Sequence, residues 1–121
     1  MKTAQEVIDY MESVFDREAS LKIKKQIVVT INVAGPGGGT WQLILNRGEC
    51  KFQPGNEISP IDATTNYRDV ESFYKLTTGE MSGIRGYASG AIKVDGPAKT
   101  LVSIGKVFIN KKSKKKKKWK K

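Results

Sequence analysis

Apolar residues near the N-terminus recur at helical spacing. Ala4, Val7, Ile8, Met11, Val14 and Phe15 make one stripe, with Glu6, Asp9, Glu12 and Asp16 mostly on the other side. Thr3-Ala4-Gln5-Glu6 reads as a capping box, Thr3 accepting from the Glu6 amide while Glu6 reaches back. Residues 17–25 are charged and read as a connector. The period then changes to two. Along Gln26–Ala34, Ile27, Val29, Ile31 and Val33 take one face, and Val28, Thr30, Asn32 and Ala34 the other. Trp41, Leu43 and Leu45 alternate with Gln42, Ile44 and Asn46 in a second strand. Asn46-Arg47-Gly48 turns the chain into a third, Glu49–Gln53, which Pro54-Gly55-Asn56 ends. The pattern predicts an antiparallel meander, one face of which must be covered by helices.

The second half alternates between the two periods. Ile61–Thr65 reads as a fourth strand. Asp69 suits an N-cap, with Glu71 in the first turn, where negative charge is favoured. Val70, Phe73, Tyr74 and Leu76 form the buried side of a short helix that Gly79 is placed to stop. Met81–Ser89 has helical length, yet Gly83 and Gly86 each weaken a helix by about 1 kcal/mol relative to Ala. It therefore reads equally well as a glycine-loosened connector. Ala91–Val94 is a last strand, and Gly96-Pro97 opens a C-terminal helix with Pro at the first helical position. Leu101, Ile104, Gly105 and Phe108 fall on one face of that helix, with Val102 and Ile109 alongside. The fold class is α+β, with helices gathered on one face of a sheet.

At 121 residues the chain is long enough for one core. Its formal charge of +10 suggests a nucleic-acid binder until the charge is located. Nine of the 22 basic residues are the lysines of 111–121, so residues 1–110 carry 13 basic against 12 acidic groups. The expected division is a nearly neutral domain over 1–110 and a disordered polybasic tail over 111–121. In the tail, Lys114, Lys115, Lys116, Lys117, Lys118 and Trp119 are candidate contacts to an anionic membrane surface. Nucleic acid would use the same charges without reading bases, and a merely solvated tail is the plain alternative.

The chain contains no His and one cysteine, Cys50, which rules out Ser-His-Asp and Cys-His catalysis and the usual zinc sites. An unpaired cysteine fits a reducing compartment. Met1–Tyr10 is polar and acidic, unlike a signal peptide, and no apolar run nears the roughly 20 residues needed to cross a bilayer. The expected location is cytoplasmic. Gly35–Gly39 lacks both the P-loop ending and the dinucleotide spacing, so it reads as a hairpin loop. Gly83-Ile84-Arg85-Gly86 matches the loop with which KH domains clamp a nucleic-acid backbone, but the preceding meander is not the KH strand order. Asp62, Asp69, Glu71 and Glu80 cluster in sequence without a spacing that defines an acid/base pair.

One family unites these pieces. The Trp41–Leu43–Leu45 strand with its Arg47-Gly48 turn, and Asp62-Ala63-Thr64 after the meander, match the sterol-carrier-protein family of lipid-binding domains. So do Phe73, Leu76, Gly79-Glu80, Ser89-Gly90, Ile92, Val94 and Gly96, at near-family spacing. From about Val7 to Ile109 the chain resembles that family. The resemblance implies a five-stranded mixed sheet with helices on one face. It also implies an apolar tunnel between them for a fatty acid, fatty acyl-CoA, sterol or phospholipid, with no catalysis and no cofactor. Helix residues facing the sheet would line the tunnel: Phe73, Leu76, Met81, Tyr87, Leu101, Ile104 and Phe108. Gly83 and Gly86 would be the hinge of a lid. Binding and transfer of a lipid is the expected function, the alternatives being an accessory module that presents a lipidic substrate to an enzyme and nucleic-acid binding through the tail.

Overall fold

The computed structural model describes residues 3–23 and 25–108. In chain order they form α1 (Ala4–Ser13), α2 (Arg17–Ser20), β1 (Ile27–Val33), β2 (Gly39–Asn46), β3 (Glu49–Pro54), β4 (Ala63–Tyr67), α3 (Val70–Thr78), α4 (Gly83–Ser89), β5 (Ile92–Asp95) and α5 (Ala98–Val107). The five strands make one mixed sheet in the order β3-β2-β1-β4-β5, parallel only between β1 and β4. The meander is therefore one half of the sheet, and the chain crosses to the far side of β1 to build the other half. Asp62 fastens that crossing. Its carboxylate accepts from the Val28 amide at 2.8 Å, and its own amide donates to the Val28 carbonyl at 2.7 Å.

Register follows from the alternation. Val29 lies opposite Leu43 and Ala63, Ile31 opposite Trp41 and Thr65, and Val33 beside Tyr67. This face carries the core, which Val7, Ile8 and Met11 of α1, Phe73 of α3 and Val107 of α5 complete. The capping box forms as expected: the Glu6 amide donates to the Thr3 hydroxyl at 3.3 Å and the Thr3 amide to the Glu6 carboxylate at 2.7 Å. The glycine-rich loop after β1 supplies a further cap, the Gly37 carbonyl accepting from the Ala4 amide at 2.9 Å.

Four local expectations change. The connector at 17–25 holds a turn of helix, α2, which Asp16 caps by accepting from the Ala19 amide. The Ser20 hydroxyl in turn accepts from the Gly48 amide at 2.8 Å, tying α2 to the β2–β3 turn. The fourth strand runs two residues later than Ile61–Thr65, because pairing with β1 begins at Ala63 opposite Val29. Pro97 is the N-cap of α5 rather than its first helical residue. Gln42, placed on the polar face by its alternation, is 1% exposed. Its amide donates to the Ile58 carbonyl at 2.9 Å and accepts from the Ile58 amide at 2.8 Å, holding the segment after β3 over the back of the sheet.

Candidate functional site

Between the sheet and the helices lies a cavity of about 440 Å³. Val29 and Ile31 of β1, Leu43 of β2, Thr65 and Tyr67 of β4 and Ile92 of β5 form its floor. Met11 of α1, Leu76 to Thr78 and Gly79 at the end of α3, Gly83 of α4, and Ile104, Gly105 and Phe108 on or just after α5 form the walls. No charged side chain is among these. Gly79, Gly83 and Gly105 are exposed, so the cavity meets solvent along a rim of residues without side chains. The volume falls within the roughly 300–1,000 Å³ of small-molecule sites. At about 30 Å³ for a water-sized group, it admits on the order of 15 of them.

The chain builds this space by local means. Asp69 caps α3, accepting from the Ser72 amide at 2.7 Å, and that bond holds its carboxyl below the ordinary carboxylate range. Phe73 is fully buried and packs its ring against Tyr67 at a 44° tilt with ring centroids 4.6 Å apart, which seats α3 on β4. Gly79 ends α3 in the left-handed conformation with φ 88°, and Ser82 starts α4 by accepting from the Arg85 amide. At the other end Phe15 pairs with Phe108 at 5.7 Å, and the Asp16 amide donates to the Val107 carbonyl, which ties α5 to the end of α1.

The structure separates the residues expected to line a tunnel. Leu76, Ile104 and Phe108 border the cavity. Phe73 does not, because its packing against Tyr67 turns it into core beneath α3. Met81 is half-buried off the lining, and Tyr87 is 66% exposed on the outer face of α4. The Leu101 side chain lies outside the described residues, as do Lys114 to Lys118 and Trp119. Most of the floor was missed in the sequence. Alternation shows that Val29, Ile31 and Leu43 share the inner face, but not that part of this face is left unpacked.

Gly83 and Gly86 sit inside a capped helix, not in a loose connector. Gly83 is on the cavity rim. Gly86 is buried because a Cβ there would come within 2.6 Å of Leu76 Cδ2, so its role is close approach of α4 to α3. The left-handed glycines flank the helix instead: Gly79 at φ 88° and Gly90 at φ 81°. The helical setting also removes the loop reading of residues 83–86 as a nucleic-acid clamp.

The polar groups on the cavity wall are hydroxyls. Thr78 turns back on its own helix, donating to the Tyr74 carbonyl at 3.0 Å. The Thr65 hydroxyl donates to the Thr30 carbonyl at 3.5 Å and lies beside the Tyr67 phenol. Burial pushes the Tyr67 phenol above its ordinary pKa, the Thr65 hydroxyl opposing this in part, so the phenol stays protonated at neutral pH. Cys50 is on β3, away from the cavity; burial and, secondarily, Glu12 push its thiol up to about 12, which leaves it a weak nucleophile. Three of the four clustered carboxylates have structural partners: Asp62 and Asp69 bond backbone amides, and Glu71 pairs with Lys75 at 3.0 Å. Among the described residues no group of His, Cys, Asp and Glu could hold a metal ion, and no helix is long and apolar enough to cross a membrane.

No protein-family model and no curated protein matches the chain. Solved structures do. Sterol carrier protein 2 from Yarrowia lipolytica, in its apo form, superposes with a TM-score of 0.58 at 18% identity, over 88% of this chain and 90% of that one. Sterol carrier protein domain 2 of Helicoverpa armigera gives 0.61 at 19% identity, over 82% and 84%. A UbiJ-SCP2 ubiquinone synthesis protein gives 0.64 at 13% identity, over 84% and 91%. The inverting sec-alkylsulfatase Pisa1 from Pseudomonas sp. gives 0.72 at 13% identity, where the match covers 83% of this chain but only 15% of the sulfatase. With its five-stranded mixed sheet, its helices on one face and these superpositions over most of its length, the chain has the sterol-carrier-protein-2 fold.

Proposed function

We propose that this chain binds a lipid in the cavity between sheet and helices and transfers it, without a catalytic step. One observation supports the reading above others: the cavity wall is uncharged and mostly apolar, and the cavity opens at a rim of glycines. Such a space costs the protein packing contacts, which a bound apolar chain would restore. Each methylene taken from water contributes about 0.8 kcal/mol, so filling the site offers on the order of 10 kcal/mol before ordering and association costs. Leu76, Ile104 and Phe108 would contact the ligand from the helices, and Val29, Ile31 and Leu43 from the sheet. Fatty acid, fatty acyl-CoA, sterol and phospholipid are the classes the fold suggests, in a reducing compartment such as the cytoplasm.

Exchange would proceed by movement of α4. Of its seven residues only Gly86 is buried, so little apolar contact holds it down. Gly79 and Gly90, already left-handed, flank it as hinges. Native mass spectrometry of protein taken directly from cells, followed by lipid extraction, tests the binding. A stoichiometric long-chain lipid is the expected result; a ligand-free protein that also fails to bind a fluorescent acyl probe would refute it.

A second reading has its own support. The same fold forms a small part of an alkylsulfatase and the body of a UbiJ ubiquinone synthesis protein. The chain would then present a lipidic substrate to a partner enzyme. Recovery of a stable enzyme partner, together with a lipid that this enzyme converts, would favour presentation over free transfer.

A further inference from the structure

β5 is one edge of the sheet and pairs with β4 alone. Hydrogen bonding alternates along an antiparallel pair, and the Arg68 amide donates to the Ala91 carbonyl opposite it at 2.9 Å. In that register Lys93 and Asp95 turn their backbone groups to Asn66 and Thr64, so Ile92 and Val94 turn theirs outward. Among the described residues nothing bonds these outward N–H and C=O groups. Side chains alternate as well. Ile92 borders the cavity, which puts Lys93 and Asp95 on the opposite face, both exposed and without an ion-pair partner among the described residues. The other edge, β3, is guarded. By the same alternation Pro54 is an outward position with no N–H to offer, and Arg17 of α2 lies against the Gly48 turn where β3 begins.

We propose that β5 is a self-association edge: it pairs antiparallel with β5 of a second copy about a two-fold axis through Val94, joining two sheets into one. Outward groups meet only in registers centred on a residue. Centred on Lys93 or Asp95, the pairing sets like charges against each other; centred on Ile92, it leaves both charges without a partner. Centred on Val94, it lets Val94 exchange both backbone bonds with its counterpart and sets Lys93 of each copy opposite Asp95 of the other. Those two positions are of the non-hydrogen-bonded kind, where side chains stand closest. A lysine on an open edge discourages strands that bring no acid to meet it, and a second copy brings that acid at both places. The helices of both copies then lie on the same face of the continuous sheet. This contact does not depend on the lipid-binding reading.

Sedimentation velocity of the full chain, from about 5 μM to about 1 mM in about 0.15 M NaCl to screen the net charge, tests the edge. A monomer–dimer equilibrium is expected. Lys93→Asp and Asp95→Lys change exposed side chains, and each should weaken self-association at least about tenfold, because like charges then meet at both positions. Mixed in equal amounts, the two variants should form a dimer as tight as the native one, since every pair is again of opposite sign. The double variant Lys93→Asp/Asp95→Lys should dimerise like the native chain, and urea unfolding checks that each variant is folded. A native chain that stays monomeric throughout would overturn the proposal. So would a dimer indifferent to either single substitution, or single variants that fail to associate when mixed.

Discussion

Val29→Phe puts the cavity itself to the test. Val29 is 2% exposed, lies at the centre of the floor on β1, and faces the empty space. The substitution adds roughly four carbon atoms, each about the volume of a water-sized group, or on the order of 120 Å³. That is about a quarter of the 440 Å³ available. Adding carbons to a filled core usually costs about 1–3 kcal/mol. Adding them to a void costs little, because the new atoms gain contacts instead of displacing neighbours, so ligand-free stability should hold or rise. Binding should move the other way. A ligand that loses room for roughly four methylenes loses about 3 kcal/mol, or on the order of a hundredfold in affinity. Urea unfolding of the delipidated protein measures the first effect, and displacement of a fluorescent acyl probe the second. A variant destabilised by about 1–3 kcal/mol that binds lipid as the native protein does would show that the space is ordinary core and that ligands bind elsewhere.

Other outcomes follow from individual contacts. Gln42→Ala should cost about 2–4 kcal/mol in chemical denaturation, because both Ile58 backbone groups lose their partner under the sheet; a loss below about 1 kcal/mol would mean water replaces the amide. Asp69→Ala should cost about 1 kcal/mol of stability at neutral pH through the lost cap of α3. Since folding lowers the Asp69 pKa, its ionised form stabilises the fold fully above about pH 4, and that contribution fades as pH falls through the lowered folded value. Unfolding curves of the native protein and the Asp69→Ala variant should therefore converge in acid, and a constant gap down to pH 2 would refute the assignment. Ile84 and Tyr87 are 84% and 66% exposed on α4 beside the cavity rim, and the proposed transfer would use them as contacts to a receiving membrane. Changing both to Ser should slow lipid transfer to vesicles severalfold with solution affinity unchanged; an unaltered transfer rate would remove α4 from the docking surface.

The sequence determined by itself what depends on neighbours along the chain. The Thr3–Glu6 capping box, the Asp69 cap and the Gly79 stop are short-range hydrogen-bonding and backbone preferences, legible as residue types at fixed offsets. The meander was legible because a period of two in Ile27 to Val33 and Trp41 to Leu45 admits few pairings. Tertiary structure decided the rest. That Met81–Ser89 contains a helix despite Gly83 and Gly86 rests on Ser82 capping it and on Leu76 needing Gly86 to be bare. Gln42 is buried because a backbone segment sixteen residues away offers both of its hydrogen-bonding groups. The cavity was beyond sequence reading for the same kind of reason. Whether Phe73 fills space or lines it depends on Tyr67 meeting its ring, and whether Val29 and Leu43 touch helix or void depends on how far α3 and α5 stand off the sheet. Periodicity states which side chains face inward; only the packed structure states how much room is left between them.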